Sequence, residues 1–323
     1  MSYDDSLIQR WPILATESRC GITEVAHAGA YVVASKEGVV AGEGDRKTLT
    51  PMRSTGKPFQ LAALFDGLID ASRYDSPQIT LMASSHNGEQ EHVAVLAGML
   101  ANHGIDESAL LCGTHAPYRS WVKRRPLTNN CSGKHIAMLV AARNRGHSEK
   151  EYPSVAHPIQ ITIINSIEAT LQVPGAPIGI DGCGVPTMAV SLEQLAIGYA
   201  KLAEGVTDGL ACIRDAYLQA PFFIGGTDRI ESHLIRIYDF VAKSGSDGVW
   251  AAAIPSLKLG VSLKMMSGNE NAASIVMLHI LESLGVLQIS ADSELKRILD
   301  WDKHDCNGNI VGCLQAHITA EPK

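Results

Sequence analysis

Strand-forming patterns occupy both ends of this 323-residue chain, and helix-forming patterns fill its middle. Near the start, Ala30-Tyr31-Val32-Val33-Ala34 and Val39-Val40-Ala41 flank a Lys36-Glu37-Gly38 turn, the signal of a hairpin. Near the end, residues 248–254 and 259–265 read as a second pair of strands, followed by a helix over 269–284. Between them, helical periodicity runs over 89–102, 132–145, 158–171 and 185–202, with Gly104 and Gly146 as stops for the first two. Strands from both ends can share one sheet, with a helical region packed beside it. The order therefore predicts an α/β fold: a sandwich with a mainly antiparallel sheet and packed helices. No low-complexity linker or internal repeat divides the chain, and boundaries near residues 65 and 225 would separate an α/β part, 1–65 plus 225–323, from a helix-rich part, 66–224.

Bulk properties narrow the partners. Hydrophobic residues make up 46%, enough for a full core, so disorder is excluded. Aromatics are only 5% beside 29 glycines, which favours close approach of helices to a sheet. A net charge of −7 argues against nucleic acid and anionic membranes as partners. Residues 1–10 are polar and acidic, unlike a signal peptide, and the longest apolar run, 249–255, is strand-sized. Seven cysteines, an odd number without dense spacing, do not make a disulfide framework. The expectation is a soluble cytoplasmic protein.

Three motifs carry chemistry by their order: Ser54-x-x-Lys57, Ser85-His86-Asn87 and Lys243-Ser244-Gly245. That order is the grammar of serine acyl-enzyme hydrolases in which lysine takes the place of the triad histidine. A serine hydroxyl attacks poorly at neutral pH, so a neighbour must take its proton. A lysine three residues on lies one helical turn away, and it can act as base only if burial or another cation lowers its pKa. Ser-x-x-Lys recurs at Ser120/Lys123 and Ser293/Lys296, and Ser-x-Asn at Ser267/Asn269, but only the Ser54, Ser85 and Lys243 set completes the sequence. Pro58 tolerates only a first helical turn, so a helix should begin at 54–57, with Ser54 at its positive end. The bland alternative is a capping serine, a solvated lysine and two ordinary turns.

A second constellation follows. Asn129-Asn130-Cys131-Ser132-Gly133-Lys134-His135 opens a helix, and Asp181-Gly182-Cys183-Gly184 presents another thiol from a tight turn. Two thiolates and an amine can bind zinc tetrahedrally, with water or His135 as fourth ligand, though isolated cysteines are more often buried apolar residues. Spacing alone does not assign a metal. Asp181 can hold a substrate ammonium or cap its own turn. Arg53 can grip a substrate carboxylate or pair with an acidic neighbour. His86 and His135 read first as structural groups.

Taken together, these residues resemble the bacterial asparaginase family of the Rhizobium etli type, the class 3 L-asparaginases. The likeness rests on Glu24-Val25-Ala26-His27, Arg53-Ser54-x-x-Lys57-Pro58-Phe59-Gln60, Ala83-Ser84-Ser85-His86-Asn87-Gly88-Glu89 and Asn130-Cys131-Ser132-Gly133-Lys134-His135. It continues through Gly179-Ile180-Asp181-Gly182-Cys183-Gly184-Val185-Pro186, Lys243-Ser244-Gly245, Leu263-Lys264 and Asn307-Gly308-x-x-Val311-Gly312. It implies one asparaginase domain over 1–323, a fold similar to serine β-lactamases and glutaminases, and hydrolysis of L-asparagine to L-aspartate and ammonia. It further implies two Ser-Lys tandems, Ser54 with Lys57 and Ser85 with Lys243, Lys264 being the fallback for the second lysine. Zinc at Cys131, Lys134 and Cys183 is implied in an assisting role, with His135 and Asp181 lining that site, and a homodimer; Arg53 and His86 complete the expected substrate-binding set. The chain departs from the family's usual pattern at Ala28, Asp228 and Ser246-Asp247. Two other readings stay open: a glutaminase or β-lactam hydrolase on the same scaffold, and a non-catalytic protein that binds zinc or amino acids.

Overall fold

The computed structural model describes residues 11–116 and 118–318; residues 1–10, on which the signal-peptide expectation rested, lie outside that range. The first four strands are β1 (Ile13–Arg19), β2 (Ile22–Ser35), β3 (Gly38–Glu43) and β4 (Leu49–Pro51). Helices α1 (Lys57–Phe65), α2 (Ser76–Met82), α3 (Gln90–Asn102), α4 (Ser132–Asn144) and α5 (Pro158–Leu171) follow, then β5 (Ile178–Ile180) and β6 (Pro186–Ser191). After these come α6 (Leu192–Glu204), α7 (Asp208–Gln219), α8 (Ile230–Tyr238), β7 (Val241–Gly245), β8 (Val249–Ile254) and β9 (Leu259–Met265). The described chain closes with α9 (Glu270–Ser283), α10 (Ser293–Ile298), β10 (Asp302–His304) and β11 (Ile310–Ala316).

One antiparallel sheet runs β10-β11-β1-β2-β9-β8-β7, with β3 beside β2. Its strands come only from the two ends of the chain. Ala15 on β1 faces Ala316 on β11, which joins those ends directly. The long β2 changes neighbours along its length: its first half pairs with β1 and its second with β3, while β9 runs along the opposite edge.

Alternation on β2 assigns the faces. Ala30, Val32 and Ala34 meet Leu192 and Ala196 of α6, whereas Tyr31 and Val33 turn to the main core. Small residues let α6 lie close. A Cβ on Gly260 of β9 would stand 2.1 Å from the Ala196 carbonyl oxygen, so only glycine fits there. Helix α9 packs against β1, β8, β9 and β11, and its buried Ala272, Val276, Met277 and Ile280 belong to that main core. The architecture is the expected α/β sandwich.

One element differs from its sequence pattern. The helix expected over 185–202 starts only at Leu192; Pro186–Ser191 is strand β6, paired with β4 and β5. This short buried apolar run carries no period that separates strand from helix. Ser191 then caps α6, its hydroxyl accepting from the Gln194 N–H while the Gln194 side chain accepts from the Ser191 N–H.

Candidate active site

The approach to Ser54 is conformationally unusual. Arg53 takes a left-handed backbone conformation, φ 50°, and opens a 3₁₀ turn (Arg53–Gly56) that leads into α1. Such a conformation at a non-glycine residue is strained and clusters at functional sites. The buried Tyr199 donates its hydroxyl to the Thr55 carbonyl at 2.8 Å and holds the turn. Ser54 itself is almost buried, yet among the described residues its hydroxyl has no hydrogen-bond partner, and it faces two cavities.

Ser85 follows α2 on a loop that is tied at both sides. Its N–H donates to the Ile224 carbonyl at 3.0 Å, and that of Asn87 to Gly225 at 2.7 Å. Tyr217 donates to the Ala83 carbonyl, and the Glu89 carboxylate accepts from Asn87 and from both donors of Thr227. Behind the loop, Gly133 on α4 approaches so closely that a Cβ would lie 2.1 Å from the Leu81 carbonyl oxygen. The Ser85 hydroxyl then meets two amines: Lys57 Nζ at 3.0 Å and Lys243 Nζ, from β7, at 2.8 Å. Lys57 also donates to the carbonyls of Ser84 and Asn130, and Lys243 to that of Ser244. The Lys57 amine is thus held by Ser85 rather than by Ser54, one turn earlier on its own segment.

Both lysines are fully buried, and burial, which penalises the ammonium form, pushes both below the ordinary lysine range. For Lys243 the nearby Lys57 adds to the fall, against the pull of Glu231. Glu231 is a buried carboxylate brought down to about 2: burial works against its charge but is outweighed by Arg229, Lys243 and the Ser244 hydroxyl. Arg229 pairs with Glu231 at 3.0 Å and also donates to the Asn87 side chain and the Ser85 carbonyl. Lys264, by contrast, donates to the Asp247 carbonyl, away from Ser85.

The second constellation lies on the other side of Ser54. Lys134 Nζ stands 3.2 Å from Cys183 Sγ. The Cys131 thiol donates to Asn130 Oδ1 at 3.3 Å, and its proximity lowers Cys183 to about 5 against the cost of burial, with Lys134 and Lys57 helping. The same contact, with burial, pushes Cys131 up to about 12. Lys134 moves above its ordinary value: burial opposes its charge, but Cys183, Cys131 and Asp181 together prevail. Among the described residues no group of three or more Cys, His, Asp and Glu side chains is placed to hold a metal, so a metal here must take the lysine amine as a donor. The donor set fits zinc: bond lengths near 2.0 Å to nitrogen and 2.3 Å to sulfur put the N···S edge of a tetrahedron at about 3.5 Å, close to the Lys134–Cys183 separation.

Asp181 accepts from Arg53 Nε at 2.8 Å and from the Gly182 N–H at 2.9 Å. Arg53 also pairs with Asp247, so its guanidinium is committed to two carboxylates. Arg53, Asp181, Cys131 and Cys183 line one cavity with Ser54; Ser85 lines the other with Ser54, Arg229 and Glu231. His86 and His135 line neither. His86 is buried with both ring nitrogens engaged, by Ser132 and the Gly88 N–H. His135 bonds Tyr152 through Nδ1, its Nε2 stays unpartnered, and burial brings it down to about 3. Sequence reasoning missed the roles of Arg229 and Glu231. Arg229 closes the Gly225-Gly226-Thr227-Asp228-Arg229 run, whereas no local pattern marks Glu231.

The L-asparaginase II family profile matches residues 15–316. The chain belongs to the L-asparaginase II family. The match agrees with the family resemblance carried by the motifs. Among curated proteins no match to the sequence is found. Among solved structures, the chain is similar to Mglu in its native form, with 14% identity and TM-score 0.49 over 82% of this chain. It spans 66% of that protein, just under two thirds of its length. It is also similar to a covalent complex of the Bacillus subtilis glutaminase YbgJ with 5-oxo-L-norleucine (15% identity, TM-score 0.40, 80% of this chain and 88% of that one). A third similar structure is a beta-lactamase, Mb2281c, from Mycobacterium bovis, with 12% identity, TM-score 0.36 and coverage of 87% and 99%. No helix among the described residues is long and apolar enough to cross a membrane.

Proposed function

We propose that this asparaginase-family amidohydrolase cleaves the side-chain amide of L-asparagine through an acyl-enzyme on Ser54. The observation that carries the reading is the Ser85 hydroxyl bracketed by two buried amines, 3.0 and 2.8 Å away, beside an uncommitted Ser54 hydroxyl. Ser54 Oγ attacks the amide carbon, and neutral Lys57 accepts its proton; catalytic hydrogen bonds commonly close only in the substrate complex. Ser85, held by Lys57 and Lys243, passes a proton to the departing nitrogen, which leaves as ammonia, and Lys57 replaces it with the proton taken from Ser54. The Ser54 N–H, at the start of its turn, is placed to stabilise the developing oxyanion. Water then cleaves the ester and releases aspartate. Asp181 receives the substrate's α-ammonium, and Arg53, paired with it, fixes the carboxylate's direction.

Cys131, Lys134 and Cys183 would hold zinc, which when bound supplies a fixed positive centre beside the substrate cavity. Lys134 must shed its proton to serve as a donor. His86 and His135 act in this reading by positioning the Ser85 loop and α4.

Ammonia release from L-asparagine, L-glutamine and a chromogenic β-lactam tests the reading. Asparagine should be turned over fastest. Absence of ammonia at saturating asparagine, or faster turnover of either competitor, overturns it.

A further inference from the structure

The two cavities meeting at Ser54 are chemically different. Asp181 and the thiols line only one; Ser85 lines only the other. In the reading above, the α-ammonium goes to Asp181 and the departing nitrogen takes its proton from Ser85. The scissile C–N bond therefore points out of the first cavity and into the second. Ammonia needs almost no space there, yet the second cavity measures about 240 Å³, where roughly 10–15 Å³ admits one water. Its lining includes the apolar side chains of Ile230, Trp250, Ile298 and Leu299 beside the charged Asp228, Arg229, Glu231 and Glu270.

The wall is also braced. Asp228, in a left-handed conformation with φ 54°, accepts from Arg119 at 3.0 Å and from Arg297 at 2.7 Å. Arg119 adjoins Tyr118 and Arg297 adjoins Ile298, and both Tyr118 and Ile298 line the cavity. One carboxylate thus clasps two distant segments over the same space.

We infer that the Ser85-lined cavity is a leaving-group chamber, and that the enzyme hydrolyses N-substituted asparagines whose departing amine carries a small apolar group. This rests on the Ser54 acyl-enzyme reading. The steps balance: the Ser54 Oγ–C bond forms and the C–N bond breaks. The nitrogen takes the Ser85 proton and leaves as a neutral primary amine, Lys57 returns the proton taken from Ser54 to Ser85, and water then converts the ester to aspartate. No further reactant is required.

The test compares kcat/KM for L-asparagine and N4-benzyl-L-asparagine on the wild-type protein, with aspartate and benzylamine measured by chromatography. Benzylamine and ammonia are similar in basicity, so the ratio reports the site rather than the leaving group. The benzyl substrate should reach at least one tenth of the asparagine value; a smaller value overturns the inference while leaving the asparaginase reading intact. Silence on both substrates overturns both. Ile298→Trp, at the half-buried rim, should lower the benzyl-to-asparagine ratio at least fivefold, and an unchanged ratio in folded variant also overturns the chamber.

Discussion

Three buried lysines stand at the candidate site, two bonded to Ser85 and one beside Cys183, and the structure drives them in opposite directions. At Lys57 burial outweighs the pull of Cys131 and Cys183, and at Lys243 burial, with Lys57, outweighs the pull of Glu231, so both fall below the usual 10.5. Lys134 is as deeply buried, but it faces a thiolate and Asp181, and it rises. Burial alone therefore does not make a base. The balance between burial and the sum of neighbouring charges decides which way a buried amine moves, and for Lys134 the thiols together with Asp181 tip it upward. In the proposed mechanism one side of Ser54 transfers protons and the other holds charge or a metal.

Removing groups from the proton-transfer side should cost the most. Ser54→Ala is expected to lower kcat by roughly four to six powers of ten, the scale seen when an acyl-enzyme nucleophile is lost; near-normal ammonia release would remove Ser54 from the mechanism. Lys57→Met should cost roughly 10²–10⁴, the range for a general base, and Lys243→Met toward the lower end. If Lys134→Met proves as damaging to kcat as Lys57→Met, the contrast between the two sides is broken.

The pH dependence has a definite sign. Lys57 must be neutral to accept a proton, and its value lies below the ordinary 10.5. Activity should rise with pH and level off before the normal lysine range, which a kcat/KM profile reads directly. In the window between the lowered value and 10.5, the unfolded chain holds a proton that the folded one lacks, so stability also rises with pH there. An activity limb centred at the ordinary lysine value would mean that burial does not tune the base.

Smaller effects are expected on the charge-holding side. Cys131→Ser, or removal of zinc by a chelator, should raise KM roughly tenfold while changing kcat little, as loss of a supporting metal shell does; complete loss of kcat would put the metal in the bond-breaking step. Least perturbing is thiol labelling of metal-free protein. Cys183, lowered to about 5, should react with iodoacetamide at neutral pH before Cys131, raised to about 12. Peptide mass mapping gives the order, and the reverse order would reassign the thiolate.

Much of the fold was legible because its helices announce their ends. Pro58 marks the start of α1, Gly146 follows α4, and Asn269 caps α9 through the Ala272 N–H. Strands β1, β10 and β11 were not legible, since short pairings between distant ends leave no local period. At the site, motif order identified Ser85 and Lys243, whose side chains meet at 2.8 Å across 158 residues. Spacing did not reveal that Lys57 bonds Ser85 rather than Ser54, because the direction of a flexible amine is set by tertiary partners. Glu231 and Arg229 were invisible for the same reason: their importance lies in burial beside Lys243 and the Ser85 loop.

The most direct measurement of the central claim is rapid mixing with asparagine, acid quench and peptide mass mapping. The two-lysine account predicts an aspartyl adduct on the peptide containing Ser54, lost in Ser54→Ala and sharply reduced in Lys57→Met. An adduct on Ser85 instead, or steady turnover with no adduct in rapidly quenched samples, would contradict it.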